Sequence, residues 1–265
     1  MFFELSIIFV FGLVIGSFLN CMVYRLNEGI SFVSGRSFCP ACKHTLAWYD
    51  LVPVFSFLFL KGKCRYCGGK ISWQYPIVEI STGLAFVLAS LTALNSQLSI
   101  ASSLLLLAYL LIISSLLIMI FIFDLKWFII PDKILSIAVG VVAVFHLYNF
   151  FSGSYTQSQA LGFLFSALWA CAFFLAIFLL TKGKAMGFGD VKLAFFMGLF
   201  LGWPKIAVAL FLAFLIGAII GSTLIVSKKK GWRSEIPFGP FLIAGLFIAL
   251  VWGSDIFNFY LGFLY

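Results

Sequence analysis

The chain has 265 residues, of which 63% are hydrophobic and only 10% charged, whereas a soluble domain carries roughly a quarter charged residues. So few charges cannot cover a water-exposed surface, which excludes a soluble globular protein and leaves an integral membrane protein. The net charge of +8 does not argue for nucleic acid as a partner, because the basic residues gather between apolar segments, as positively charged cytoplasmic loops do.

A bilayer-crossing helix needs about 20 apolar residues. Segments of that kind fall at 4–24, 76–94, 103–123, 133–151, 160–181, 188–203, 205–227 and 237–256. The sixth is the shortest, and only the tight turn Gly202-Trp203-Pro204 separates it from the seventh. The opening segment lacks a basic start, carries Glu4 and meets Arg25 at its far end, unlike a cleaved signal peptide. That pattern places the N-terminus outside and Arg25 inside.

Between the first two spans lies the one sizeable polar insertion, Arg25 to Trp73. It holds Cys39-Pro40-Ala41-Cys42 and then Cys64-Arg65-Tyr66-Cys67. Two CxxC pairs suit a tetrahedral zinc ion, because each pair forms a tight knuckle and four thiolates close the shell against water. Two disulfides are the alternative, which conflicts with a reducing cytosol. A thioredoxin-like redox pair is another, but it needs one CxxC and a βαβ surround. A closed four-thiolate site is structural, so His44 beside it is a spectator. Cys21 and Cys171 lie in apolar spans as small packing residues.

The nine acidic residues matter most near the spans, where ionisable groups are costly and functional by default. Glu79 lies inside the second span, facing protein or a polar cavity. Asp124 ends the third span and Asp190 opens the sixth. Two carboxylates at one depth on neighbouring helices can share a proton, one acting as acid and the other as base. Such a pair activates water without a metal. Gly187 and Gly189 leave the backbone before Asp190 open enough to lie against an extended substrate. Helix capping is the plainer role for Asp190. Asp124, at a C-terminal helix end where an anion is disfavoured, needs another reason. Asp132 after Pro131 reads as a helix start, His146 as a packing residue, and Asp255 as a boundary charge. A transporter or channel using the aspartates as an ion relay is the alternative; such relays sit near the midplane between broken helices, whereas these carboxylates share one edge.

With eight spans, all of the 17 Lys and Arg residues except Lys205 fall on one side, so span number and orientation support each other. The expected architecture is an all-α polytopic membrane protein of about eight transmembrane helices with a small cytoplasmic zinc-binding insertion. Its expected divisions are a first transmembrane helix at 1–24, the zinc-binding loop at 25–75 and a seven-helix membrane catalytic domain at 76–265.

In chain order, Gly16-Ser17-Phe18-Leu19-Asn20 with Arg25-Leu26, the CxxC pairs flanking Trp48-Tyr49-Asp50 and Val52-Pro53-Val54, and Tyr75-Pro76-Ile77-Val78-Glu79 come first. Asp124 to Ile130-Pro131-Asp132, Met186-Gly187-Phe188-Gly189-Asp190-Val191-Lys192-Leu193 and Pro237-Phe238-Gly239-Pro240 follow. This series resembles the type IV prepilin peptidases, the bifunctional leader peptidase/N-methyltransferases of pilus, type II secretion and competence systems. The resemblance implies a GxGD-type aspartic peptidase with Asp124 and Asp190 as catalytic pair, supported by Gly187, Gly189, Asp132 and Lys192. It implies zinc on Cys39, Cys42, Cys64 and Cys67. It further implies cleavage of a short basic leader from prepilins or pseudopilins after a Gly, at the cytoplasmic face of the bacterial inner membrane. N-methylation of the new terminus by S-adenosylmethionine would follow. Asn20, Arg25 and Glu79 are the residues nominated for that second site or for substrate. The partners implied are prepilin-type substrates and membrane lipid. Asn27, where a proline often follows the Arg-Leu pair, and Cys21-Met22 depart from the common pattern away from this chemistry.

Overall fold

The computed structural model describes residues 2–31, 35–94, 99–227 and 236–263. Among these it contains nine α-helices and no strand, only two isolated β-bridges. They are α1 (Phe2–Asn27), α2 (Phe55–Phe59), α3 (Gln74–Leu94), α4 (Ile100–Trp127), α5 (Asp132–Phe151), α6 (Gln157–Thr181), α7 (Phe188–Leu201), α8 (Lys205–Val226) and α9 (Gly239–Gly262). Every apolar segment of the sequence is thus helical. Seven helices are long and apolar enough to cross a membrane. The exceptions are α2, in the insertion, and α7, whose 14 residues rise only about 21 Å against a hydrocarbon core of about 30 Å. Lys228, Lys229, Lys230 and Arg233, counted on the inner side from sequence, lie outside the described residues.

Contacts divide the chain into two compact units, Met1–Met119 and Ile120–Tyr265, with the division inside α4. In the first unit α1 packs along α3. The Gly12-x-x-x-Gly16 spacing explains how closely: a Cβ on Gly12 would stand 2.6 Å from Gly83 Cα, and one on Gly16 2.7 Å from Glu79 Cα. Membrane helices associate through such small-residue faces because lipid offers no hydrophobic drive between them. Buried hydroxyls are satisfied within their own helices, as lipid requires: Thr82 donates to the Val78 carbonyl and Ser90 to that of Phe86.

In the second unit α7 is the core. It packs against α5, α6, α8 and α9, and nine of its 14 residues are buried, which is why so short a helix suffices. On the α6 side Gly198 lets the Ser166 and Ala167 backbone come within 2.7 Å of where a Cβ would be. The helix start of α6 is fixed by a reciprocal cap between Thr156 and Gln159. Its end is fixed by left-handed Lys182 and Gly183, at φ 51° and 73°.

Candidate active site and metal centre

The two cysteine pairs fold into equivalent knuckles. In the first, the Cys39 amide donates to the His44 carbonyl (2.9 Å) and the Lys43 amide to the Cys39 carbonyl (2.8 Å). In the second, the Cys64 amide donates to the Gly69 carbonyl (2.8 Å) and the Gly68 amide to the Cys64 carbonyl (2.9 Å). A bridge closes each, Phe38 with Thr45 and Lys63 with Lys70. The left-handed residue falls at the same place in both, Lys43 at φ 60° and Gly68 at φ 69°. This geometry gathers the sulfurs of Cys39, Cys42, Cys64 and Cys67 within 4.8 Å of one another, with Cys39 and Cys67 Sγ 4.0 Å apart. All four are free thiols, and a tetrahedral ion with bonds of about 2.3 Å needs sulfurs about 3.8 Å apart. The quartet therefore fits one metal ion.

His44 stacks on Tyr66 at 3.7 Å between ring centroids. A residue that spacing did not single out ties the module together. Asp50 accepts from Arg65 Nε (2.8 Å), the Tyr66 hydroxyl (3.1 Å) and the Ala47 amide (3.2 Å). Burial raises its pKa, but these donors outweigh burial and leave the carboxyl below its usual 3.8.

In the second unit, Asp190 occupies the first turn of α7 and Asp124 the last turn of α4. Both are more than nine-tenths buried, and the charge of Asp124 acts on Asp190. The two carboxylates, 66 positions apart in sequence, are thus brought together. Asp190 Oδ2 accepts from the Gly187 amide at 3.2 Å, so the capping role and the paired placement coexist. Asp124 Oδ2 has no hydrogen-bond partner among the described residues. It faces the start of α9, where a Cβ on Gly239 would stand 2.6 Å from it. The Gly239 amide lies beside this carboxylate. Pro240 has no N–H, and Phe241 and Leu242 donate to the Phe238 carbonyl, so Gly239 is the amide of that turn left for Asp124. Sequence reading missed this role, although Gly-Pro at a helix start was its visible signal.

Of the remaining nominated residues, Asp132 opens α5 and pairs with Lys192 of α7 at 2.7 Å, tying the two helices near Asp190. Gly189 sits against Ile130, whose Cβ is 3.2 Å from a built Cβ. Glu79 accepts the Val54 amide at 2.7 Å and a bond from Ser17. Asn20 donates to the Tyr75 carbonyl and accepts from Gln74 Nε2, both at 3.2 Å. Arg25 donates to the carbonyls of Ser31, Gly35 and Arg36. These three lie in the first unit, each holding backbone or a neighbouring side chain. His146 does more than pack: its Nε2 meets the Leu199 carbonyl at 2.9 Å, fastening α5 to the last turn of α7.

Residues 10–93 match the bacterial peptidase A24 N-terminal domain, and residues 111–222 match the type IV leader peptidase family. Among curated relatives, a prepilin leader peptidase/N-methyltransferase of Bacillus subtilis is 35% identical, over 97% of this chain and 98% of its own length. Relatives of the same name from Aeromonas salmonicida and Klebsiella pneumoniae are 32% and 36% identical, covering 97% and 78% of this chain and 93% and 90% of theirs. No solved structure matches the chain.

Proposed function

The chain belongs to the type IV leader peptidase family, and from that premise we propose that it is an aspartic endopeptidase with Asp124 and Asp190 as its catalytic pair. The observation that carries this reading is the placement of two deeply buried carboxylates from separate helices such that the charge of Asp124 acts on Asp190. In such a pair one proton relieves the repulsion, leaving one carboxylate and one carboxylic acid. The carboxylate takes a proton from a water molecule, whose oxygen attacks the scissile carbonyl carbon. The carboxylic acid hydrogen-bonds the carbonyl oxygen as negative charge develops there. Collapse of the tetrahedral intermediate breaks the C–N bond, and the leaving amine takes the proton gained from water. The Asp132–Lys192 pair keeps α5 and α7 in register around this site, and the bare backbone of Gly187 and Gly189 gives an extended peptide room beside Asp190.

The substrate in this reading is a prepilin or pseudopilin, whose short basic leader is cut off after a Gly on the cytoplasmic side. The one-sided distribution of Lys and Arg supports that orientation in the bacterial inner membrane. Zinc is the metal that the four-cysteine set suits. When bound it cross-links the knuckles of Cys39, Cys42, Cys64 and Cys67 and takes no part in hydrolysis. The names of the relatives support a second activity, N-methylation of the new terminus with S-adenosylmethionine. Asn20, Arg25 and Glu79 would shape that site by positioning the backbone they bind. The test of cleavage is incubation of the purified protein with a prepilin peptide, read by mass spectrometry. Asp124→Asn and Asp190→Asn each abolish the cut while the protein stays folded and inserted. Turnover near the wild-type rate in either variant removes that residue from the pair.

A further inference from the structure

The insertion is not simply a polar domain hanging in water. Its short helix α2 turns two opposite faces to different surroundings. Phe57 points inward, its ring 4.8 Å from that of Trp73. Phe55, Leu58 and Phe59 occupy the other face at helical spacing and are 57%, 58% and 84% exposed. Three large apolar side chains on five residues are a poor surface for water.

The place of α2 along the membrane-crossing helix says what covers this face. The residue before α2, Val54, donates its amide to the Glu79 carboxylate at 2.7 Å. Glu79 stands in the second turn of α3, roughly 8 Å from the helix start at about 1.5 Å per residue. The 21 residues of α3 rise only about 32 Å, scarcely more than the hydrocarbon thickness of about 30 Å. With α3 spanning the core end to end, Val54 is held about 7 Å inside the hydrocarbon edge, within the roughly 5–10 Å to which interfacial helices bury an apolar face. Its φ of 61°, unusual for a β-branched residue, marks the sharp reversal there. Trp73, 67% exposed immediately before α3, stands where aromatic belts form. Exposed Lys61 and Lys63 follow α2 directly, so positive charge flanks the apolar face on the headgroup side.

We propose that α2 is an interfacial membrane anchor, with Phe55, Leu58 and Phe59 inserted at the headgroup–acyl boundary and Lys61 and Lys63 on anionic headgroups. The anchor goes beyond the peptidase reading and does not depend on the Asp124–Asp190 pair. It adds a lipid contact to the module that carries the metal site, between its two covalent tethers at α1 and α3.

The test uses the full-length protein in vesicles, with p-benzoylphenylalanine replacing Phe59 in one preparation and Phe55 in another. This photoreactive residue keeps the aromatic ring, and metal content confirms that the knuckles remain intact. On irradiation, mass spectrometry of the peptide spanning 55–61 shows added phospholipid at both positions. In vesicles containing phosphatidylglycerol the lipid adduct exceeds that in purely zwitterionic vesicles at least twofold, and Lys61→Gln with Lys63→Gln abolishes the difference. Adducts to protein or to an added prepilin peptide, or no adduct at either position, overturn the anchor. Equal yields in both vesicle types overturn the role of the lysines.

Discussion

Replacing Gly239 by alanine tests how tightly the start of α9 fits against the paired carboxylates. The new Cβ would stand 2.6 Å from Asp124 Oδ2, and ordinary contact begins at 3.4 Å, so one partner must retreat by about 0.8 Å. The N-terminus of α9 cannot withdraw freely, because Leu242 and Leu246 behind it are fully buried. The carboxylate must yield. A misplacement near 1 Å costs about 100-fold in rate when a reacting group loses its attack geometry. Gly239→Ala should therefore lower kcat by about 10- to 100-fold, or about 1.4–2.7 kcal/mol of transition-state stabilisation, with KM changed much less. The assay is steady-state cleavage of a prepilin peptide in proteoliposomes, with thermal unfolding measured alongside. Gly140→Ala in α5, where a Cβ meets nothing within 4 Å, is the matched control and keeps wild-type turnover. A kcat for Gly239→Ala within about twofold of wild type would show that this contact does not set the position of Asp124.

Other expectations concern the metal module and the α5–α7 tie. Chelation, or Cys42→Ser, should raise amide hydrogen exchange throughout 37–72 while far-ultraviolet circular dichroism keeps the signal of the spanning helices. Collapse of that whole signal would mean that the knuckles support the membrane domain. Lys43→Gly should stabilise the module by about 1 kcal/mol, because it removes a left-handed strain that the second knuckle already avoids with Gly68. A higher chelator concentration at half-loss of metal is the readout, and a lower one refutes the argument. Lys192→Ala breaks an exposed pair with Asp132 and should cost no more than about 1 kcal/mol of stability. The charge-swapped double variant should restore what is lost.

Sequence alone disclosed what depends on chemistry at fixed spacing. The CxxC pairs announced a cluster because ligand geometry restricts how far apart such cysteines can be. Asp124 stood out because an anion at a C-terminal helix end is unfavourable without a further reason. What stayed hidden depends on apposition across the fold. Gly239 touches Asp124 from 115 positions away, and nothing local reveals which helix start will face that carboxylate. His146 finds its partner only in the last turn of α7, at the Leu199 carbonyl, since helix carbonyls become available only where the helix stops. That α7 has only 14 residues and is packed mostly against protein was not legible, because apolar residues look the same whether lipid or protein surrounds them. Asp50 gave a Trp-Tyr-Asp motif without a purpose, which Arg65 and Tyr66 supply from the second knuckle.

The enclosure of α7 separates the depth of Asp190 from the thickness of the lipid bilayer. A thinner or thicker membrane acts on helices that meet acyl chains, through tilt and mismatch. The helix bearing Asp190 meets other helices instead, held at one end by the Asp132–Lys192 pair and at the other by His146. Its height is thus an internal dimension of the protein, and the same placement of Asp190 can be kept in host membranes of different acyl-chain length.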